Sequence, residues 1–164
     1  MKKIHIYLTV VFILGSLLMG CGSEADCSLS SVSLARFQFL DSKTLKAVSF
    51  SQGAMVTGIA LENGSETTDT VFNQAESYMS VPLSYTDQTT YVIHYTETMR
   101  DTIVLQHKNI PFVGNVECPA MMFYEVENMR YTTNALDSVK LINPKITNEE
   151  TVNFNIYYRT ANAE

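Results

Sequence analysis

The chain has 164 residues, of which 46% are hydrophobic and 17% charged, and its formal net charge at pH 7 is −6. This composition excludes a disordered or collagen-like chain and is typical of one globular domain with a sizeable core. The acidic balance argues against a nucleic-acid-binding protein, because such proteins neutralise phosphates with a basic surface.

The first twenty residues have the layout of an export signal. Lys2 and Lys3 are followed by an apolar run from Ile6 to Leu18, and a basic segment before an apolar one is typical of a signal peptide. A membrane-spanning helix is the competing interpretation, but it needs about 20 apolar residues and this run is shorter. We therefore predict a cleaved signal peptide over residues 1–20.

The signal ends in a candidate lipid-attachment site. The segment has a leucine, Leu18, three residues before Cys21, and the small Gly20 directly before it. This pattern resembles the lipobox of bacterial lipoproteins, in which the cysteine receives lipid and becomes the first mature residue. The sequence therefore predicts lipid attachment at Cys21, a lipidated polar tether over residues 21–30, and anchoring in the cell envelope. Gly22, in place of an aspartate, favours the outer membrane, with the protein facing the periplasm or the surface.

Two cysteines, Cys27 and Cys118, remain once Cys21 is assigned to lipid. In an oxidising compartment this pair is expected to form a disulfide. The bond would close a loop of about 90 residues, which the chain-entropy relation values at roughly 4–5 kcal/mol. A metal site is one alternative. It would need more ligands than the two cysteines, and the two mature histidines, His94 and His107, lack the clustered spacing of a metal site. A catalytic cysteine is another, although neither thiol has a histidine nearby in sequence.

The sequence pattern over residues 31–160 predicts an all-β domain. Apolar and polar residues alternate with a period of two in most segments, as expected for strands with one buried and one wet face. Many short strands separated by turn residues, such as the hairpin signal Asn63-Gly64, predict an antiparallel β-sandwich. The predicted strands are Val32–Leu40, Leu45–Phe50, Met55–Leu61, Met79–Tyr85, Thr90–Thr96, Thr102–His107, Met121–Glu127, Ser138–Ile142 and Val152–Arg159.

The alternation also predicts positions within this sandwich. Pro82 cannot donate a ladder hydrogen bond, so its strand is expected at an edge or with a bulge. Arg36 shares a strand face with Val32, Leu34, Gln38 and Leu40. It is expected either to reach solvent or to pair with a buried acid, and structural pairing is preferred. Glu62–Thr70 and Lys108–Glu117 are expected to be loops that carry contacts. The side chains expected inward are Tyr91, Ile93, Tyr95, Phe154, Ile156 and Tyr158.

A series of short motifs covers nearly the whole chain. They are the lipobox with an acid and a cysteine soon after it, and a set of strand motifs: Cys21, Asp26-Cys27, Arg36-Phe37, Val81-Pro82-Leu83, Asp101–Leu105, Cys118, Tyr124, Asp137–Pro144 and Phe154–Tyr158. Together these motifs resemble those of an uncharacterised lipoprotein family of Bacteroidetes, a domain of unknown function. This resemblance implies an envelope lipoprotein with a β fold, and it brings no catalytic residues to transfer.

Motifs for catalysis are missing from the sequence. It contains no phosphate loop, nucleophile elbow or paired-histidine metal motif, so we predict no catalytic residue, no metal and no cofactor. A binding or scaffold module of the envelope is favoured, with the membrane and an envelope protein as partners. The alternative is a small envelope hydrolase assembled from scattered residues such as His94, Asp101 and a serine. Under the favoured hypothesis, His94 and Asp101 are dispensable for a cellular role.

Overall fold

The computed structural model describes residues 32–49, 54–62, 65–74, 76–114, 118 and 120–159. All of the regular secondary structure within these residues is β-strand, which confirms the predicted all-β class. The strands are β1 Leu34–Asp41, β2 Ala54–Glu62, β3 Ser65–Gln74, β4 Tyr78–Pro82, β5 Gln88–His94, β6 Arg100–Phe112, β7 Met121–Tyr131, β8 Leu136–Leu141, β9 Lys145–Ile146 and β10 Phe154–Tyr158.

Two sheets pack face to face. The four-stranded sheet has the order β4-β1-β10-β8, and the six-stranded sheet has the order β3-β2-β5-β6-β7-β9. Neighbouring strands among those described are antiparallel, apart from β1 and β10, which pair in parallel from Phe37 opposite Phe154 to Asp41 opposite Tyr158. The sandwich prediction is confirmed, with this parallel pair as an addition that alternation alone does not reveal, because a period of two carries no strand direction.

Aromatic rings join the two sheets. Phe37 and Phe154 lie on adjacent strands and stack with centroids 4.4 Å apart. Tyr91 of the other sheet meets Phe37 edge-on at 5.8 Å, which is a favoured geometry for aromatic pairs. The Tyr91 hydroxyl donates to the backbone oxygen of Pro82 at 2.7 Å, so this buried polar group is satisfied.

The predicted inward side chains do face the core. Tyr91, Ile93, Phe154 and Ile156 are fully buried. Tyr95 and Tyr158 are partly buried and pack against the same core, with their ring centroids 5.1 Å apart. The prediction for Pro82 is also confirmed, because β4 occupies an edge of the four-stranded sheet and ends at this residue.

Both segments expected as loops contain strand. β3 covers most of Glu62–Thr70 and pairs with β2 up to Glu62 opposite Ser65, so two residues connect these strands, as the Asn63-Gly64 signal predicted. β6 continues through the first half of Lys108–Glu117 to Phe112. The segment that forms β3 was predicted as a loop because its residues are mostly polar. The prediction ended β6 too early because Asn109 and Pro111 are typical of loops. The predicted strand Thr102–His107 is therefore only the middle of a longer one.

The predicted strand Leu45–Phe50 is wrong for the residues that the structure describes. The Asp41 carboxylate accepts hydrogen bonds from the backbone N–H groups of Lys43 and Thr44 and closes a tight turn. Leu45 follows with a left-handed φ of 58°, which an extended strand does not tolerate. Ala47 then makes an isolated bridge to Leu40.

The predicted signal peptide and tether, residues 1–20 and 21–30, lie outside the described residues. Within the described part of the chain, no helix has the length and apolar character needed to cross a bilayer.

Candidate functional site at the hairpin end of the sandwich

The β6–β7 hairpin extends past its neighbour β5. The pairing of β5 with β6 stops at Gln88 opposite Gln106, whereas β6 and β7 remain paired as far as Phe112 opposite Met121. The last residues of β6 therefore project from the end of the sandwich, which we call the hairpin end.

Apolar side chains are exposed on this projection. Ile110, Phe112 and Val113 are 38%, 39% and 60% exposed. The Phe112 ring stacks on that of Phe123 with centroids 4.5 Å apart and planes inclined by 16°. Because stacking fixes the rings, the exposed apolar area has a defined shape before anything binds to it.

The β4–β5 loop adds an aromatic side chain to the same end. Tyr85 is 80% exposed, although it closes the predicted strand Met79–Tyr85. That strand ends at Pro82, so Tyr85 falls in the loop. Asn109 of β6 holds the loop, because its Nδ2 donates to the backbone oxygens of Tyr85 at 2.6 Å and of Thr86 at 3.0 Å. We call the exposed side chains of Tyr85, Ile110, Phe112 and Val113 the tip surface.

A buried hydrogen-bonded chain supports the tip surface from below. His107 Nδ1 lies 2.8 Å from Asn109 Oδ1, and His107 Nε2 lies 2.7 Å from Thr89 Oγ1. The Asn109 amide nitrogen already donates to the loop, so its oxygen accepts here, and Nδ1 must carry the proton. Nε2 then accepts from the Thr89 hydroxyl, whose oxygen accepts in turn from Ser84 N–H at 2.8 Å.

Burial sets the protonation state of this chain. It lowers the pKa of His107 below its ordinary value, while the hydrogen bond to Asn109 and the Asp87 carboxylate act in the opposite direction. The Tyr124 ring packs edge-on against the imidazole at 5.2 Å. Burial and the nearby Tyr85 hydroxyl both raise the pKa of Tyr124.

Thr89, His107 and Asn109 have the connectivity of a nucleophile, a base and an orienting group. Thr89 and His107 are, however, 4% and 2% exposed, and the Thr89 hydroxyl is fully engaged by its two partners. The chain of hydrogen bonds thus locks the β4–β5 loop to β6. Sequence analysis missed it, although Asp101, Ile103, Leu105 and His107 follow one period-2 stripe that points His107 inward.

The residues named for a hydrolase do not come together. His94 lies on β5 next to Thr57, with Nε2 and Oγ1 3.2 Å apart. Asp101 lies on β6 and is fully buried. Its Oδ1 accepts from the Thr132 hydroxyl at 2.6 Å and Asn134 N–H at 2.7 Å.

The other Asp101 oxygen is equally occupied. Oδ2 accepts from the backbone N–H groups of Ala135 at 2.8 Å and Leu136 at 2.9 Å. Asp101 thus organises the turn into β8, and this structural role was not anticipated from the sequence. In the described part of the chain, no group of three or more His, Cys, Asp or Glu side chains is arranged to hold a metal ion.

Arg36 forms a structural pair, as preferred from the sequence, but its acid is exposed and not buried. Its guanidinium lies 3.3 Å from Glu150, whose side chain is 85% exposed. Arg36 also donates to Ser80 Oγ at 3.2 Å and lies 5.4 Å from the centre of the Tyr78 ring. The pairing thus secures the outer face of the four-stranded sheet.

The domain begins at the hairpin end. Leu34 pairs with Pro82, so Val32 lies beside the β4–β5 loop. Cys118 is half-buried in the β6–β7 connection at the same end. Cys21 and Cys27 lie outside the described residues, and both the lipid attachment and the Cys27–Cys118 disulfide stay predictions.

Comparison with known proteins identifies a family. A family model described as a family of unknown function (DUF6452) matches residues 55–158, which contain every residue of the tip surface. No curated protein and no solved structure matches the chain.

Proposed function

The chain belongs to this family of unknown function, which supplies no activity to transfer, and from the site we propose a lipid-anchored cell-envelope protein that acts by binding. The observation that carries the proposal is the tip surface, four exposed apolar or aromatic side chains at the same end of the sandwich as Val32. Exposed apolar patches of this kind are typical of interaction sites.

The anchoring part of the proposal is supported by the sequence. A basic and apolar leader ends at Gly20-Cys21, and Val32 follows Cys21 by eleven residues. Lipid on Cys21 would hold the hairpin end near a membrane, with the outer membrane favoured by Gly22. A Cys27–Cys118 disulfide would shorten the free tether and fix it to the β6–β7 connection, at the same end as the tip surface.

Footprinting with hydroxyl radicals tests whether the tip surface is an interaction site. We expect Tyr85 and Phe112 to be oxidised more slowly in intact cell envelopes than in the purified protein. Tyr131, at the far end of β7, is the matched control because its exposure, 37%, is close to the 39% of Phe112. Equal oxidation of Phe112 in both samples would contradict the proposal.

A hydrolase is the second candidate, and the arrangement of Thr89, His107 and Asn109 is the observation in its favour. Its nucleophile is sealed at 4% exposure, which is why binding is preferred. Assay of the purified protein on fluorogenic esters separates the two. Hydrolysis that survives in Thr89→Ser and is lost in Thr89→Val would replace the binding proposal with an enzyme.

A further inference from the structure

A row of side chains crosses the outer face of the four-stranded sheet. The strand register aligns one exposed or half-buried residue from each of β4, β1, β10 and β8, namely Tyr78, Gln38, Asn155 and Lys140. Adjacent strands lie about 4.8 Å apart, so the row is about 14 Å long and its two amides are direct neighbours. We call these four side chains the amide row.

We propose that the amide row binds a neutral glycan chain, at a site separate from the tip surface. The side chains of Gln38 and Asn155 are half-buried, and neither makes a hydrogen bond to another residue in the part of the chain that the structure describes. Two adjacent amides on the other sheet differ, because Asn128 Nδ2 donates to Gln106 Oε1 at 3.3 Å. The amides of the row therefore keep their donors and acceptors open to a ligand.

The chemistry of an amide selects the class of ligand. Each amide has an NH₂ group that donates and a carbonyl oxygen that accepts, so a ligand that engages both groups must itself supply acceptors and donors. Neighbouring hydroxyl groups of a sugar ring supply both. A carboxylate or a phosphate supplies acceptors alone and would leave the amide oxygens of Gln38 and Asn155 without a partner, which costs free energy in a half-buried site.

Tyrosine rings lie beside the two amides. Tyr78 at the start of the row is 45% exposed. Tyr157 follows Asn155 by two residues on β10 and is half-buried on the same face of the sheet. The C–H groups on one side of a sugar ring form an apolar surface, and their hydrogens are attracted to the negative face of an aromatic ring. The outer face thus combines stacking with hydrogen bonding, the two contacts that a sugar ring makes.

The charges on this face balance one another. Arg36 is paired with Glu150 at 3.3 Å. Lys140 lies at one end of the row, and at the other end the Glu76 carboxylate accepts a hydrogen bond from the Tyr78 hydroxyl. A balanced face has no strong attraction for a polyanion such as a nucleic acid. A stable dimer would need an apolar centre, whereas the centre of this face is two amides. An uncharged glycan is the ligand that fits both facts.

A glycan array of neutral and acidic oligosaccharides tests the proposal with the full-length protein in detergent. We expect binding to at least one neutral oligosaccharide. Gln38→Ala and Asn155→Ala should each weaken that binding about tenfold, as expected for the loss of a pair of hydrogen bonds. The matched control is the double variant Gln106→Ala with Asn128→Ala, which removes the amide pair of the other sheet and should bind like the native protein.

Circular dichroism first establishes that each variant keeps the strand spectrum. Asn155→Asp preserves the shape of the side chain and removes its donors, so it provides the same test if alanine at this half-buried position disturbs the fold. We expect it to weaken binding to the neutral oligosaccharide as well.

Three outcomes would overturn the proposal. The first is that no neutral oligosaccharide on the array binds. The second is that the control variant weakens binding as much as the substitutions at Gln38 and Asn155, or that none of them weakens it. The third is binding to acidic oligosaccharides alone that disappears at high salt, which would be an electrostatic contact with Lys140. None of these outcomes bears on the tip surface, which footprinting tests separately.

Discussion

Replacement of Asp101 by asparagine is a stringent test of the structure. The carboxylate is fully buried on β6 and accepts four hydrogen bonds, one from the Thr132 hydroxyl and three from consecutive backbone N–H groups at the start of β8. An amide of the same shape has a single acceptor oxygen, so its NH₂ group must face donors on one side. The substitution therefore leaves the packing unchanged and alters only the hydrogen bonding and the charge of this side chain.

The expected loss in the free energy of unfolding follows from the hydrogen-bond partners of Asp101. If the NH₂ group replaces Oδ1, the Thr132 hydroxyl can rotate to accept, but Asn134 N–H loses its partner, which costs about 1–3 kcal/mol. The two bonds to the remaining oxygen lose charge assistance, at about 1 kcal/mol each. Relief from burying a charge offsets part of this sum. We expect a loss of about 3 kcal/mol in the free energy of unfolding.

Urea unfolding of the full-length protein, followed by far-ultraviolet circular dichroism, measures this loss. Asp137→Asn makes the same chemical change at a side chain that is half-exposed and pairs with Arg159 at 3.5 Å, and we expect it to cost less than about 0.5 kcal/mol. In a thermal scan, the Asp101→Asn midpoint should fall by about 9–15 °C. Equal effects of the two substitutions would refute the structural role assigned to Asp101.

Three further outcomes are expected. Cys21→Ser should abolish incorporation of labelled fatty acid, and persistent labelling would show that the lipobox assignment is wrong. Cys27 and Cys118 should resist alkylation in the oxidised protein and react after reduction, whereas reaction of both before reduction would reject the disulfide. Because the folded-state pKa of His107 is lowered, the neutral form favours folding, so stability should be complete above about pH 6.5 and decline as the pH falls towards the folded-state pKa. His107→Gln should flatten this decline, and an unchanged slope would exclude His107 as its source.

Local alternation was enough to predict the core. Tyr91 and Ile93 on one strand, and Phe154 and Ile156 on another, each obey the period of two and are fully buried. The edge position of β4 also followed from a local fact, the missing N–H of Pro82. These predictions succeeded because each depends on one residue or one strand.

Hydrogen bonds between residues distant in sequence could not be predicted from alternation. Asn109 holds the backbone of Tyr85 and Thr86 across 24 and 23 residues, and Asp101 holds Ala135 across 34. Such partners depend on which strands become neighbours, which hydrophobic periodicity does not encode. The tip surface was missed for a related reason, since Pro111 and Asn109 are typical of loops and here continue a strand that lacks a neighbour on one side.

The parallel pairing of β1 with β10 bears on how the molecule is made. Arg36 N–H donates to Asn153 Oδ1 across 117 residues of sequence. The first strand, β1, pairs with β10, the last of the described strands, so its sheet cannot close until both are present. A chain that emerges from its N-terminus must therefore keep β1 unpaired on this side until synthesis is nearly finished, and such distant pairing slows folding. Truncation before Phe154 would remove β10 and leave the β4–β1 pair separated from an unpaired β8, in place of one four-stranded sheet.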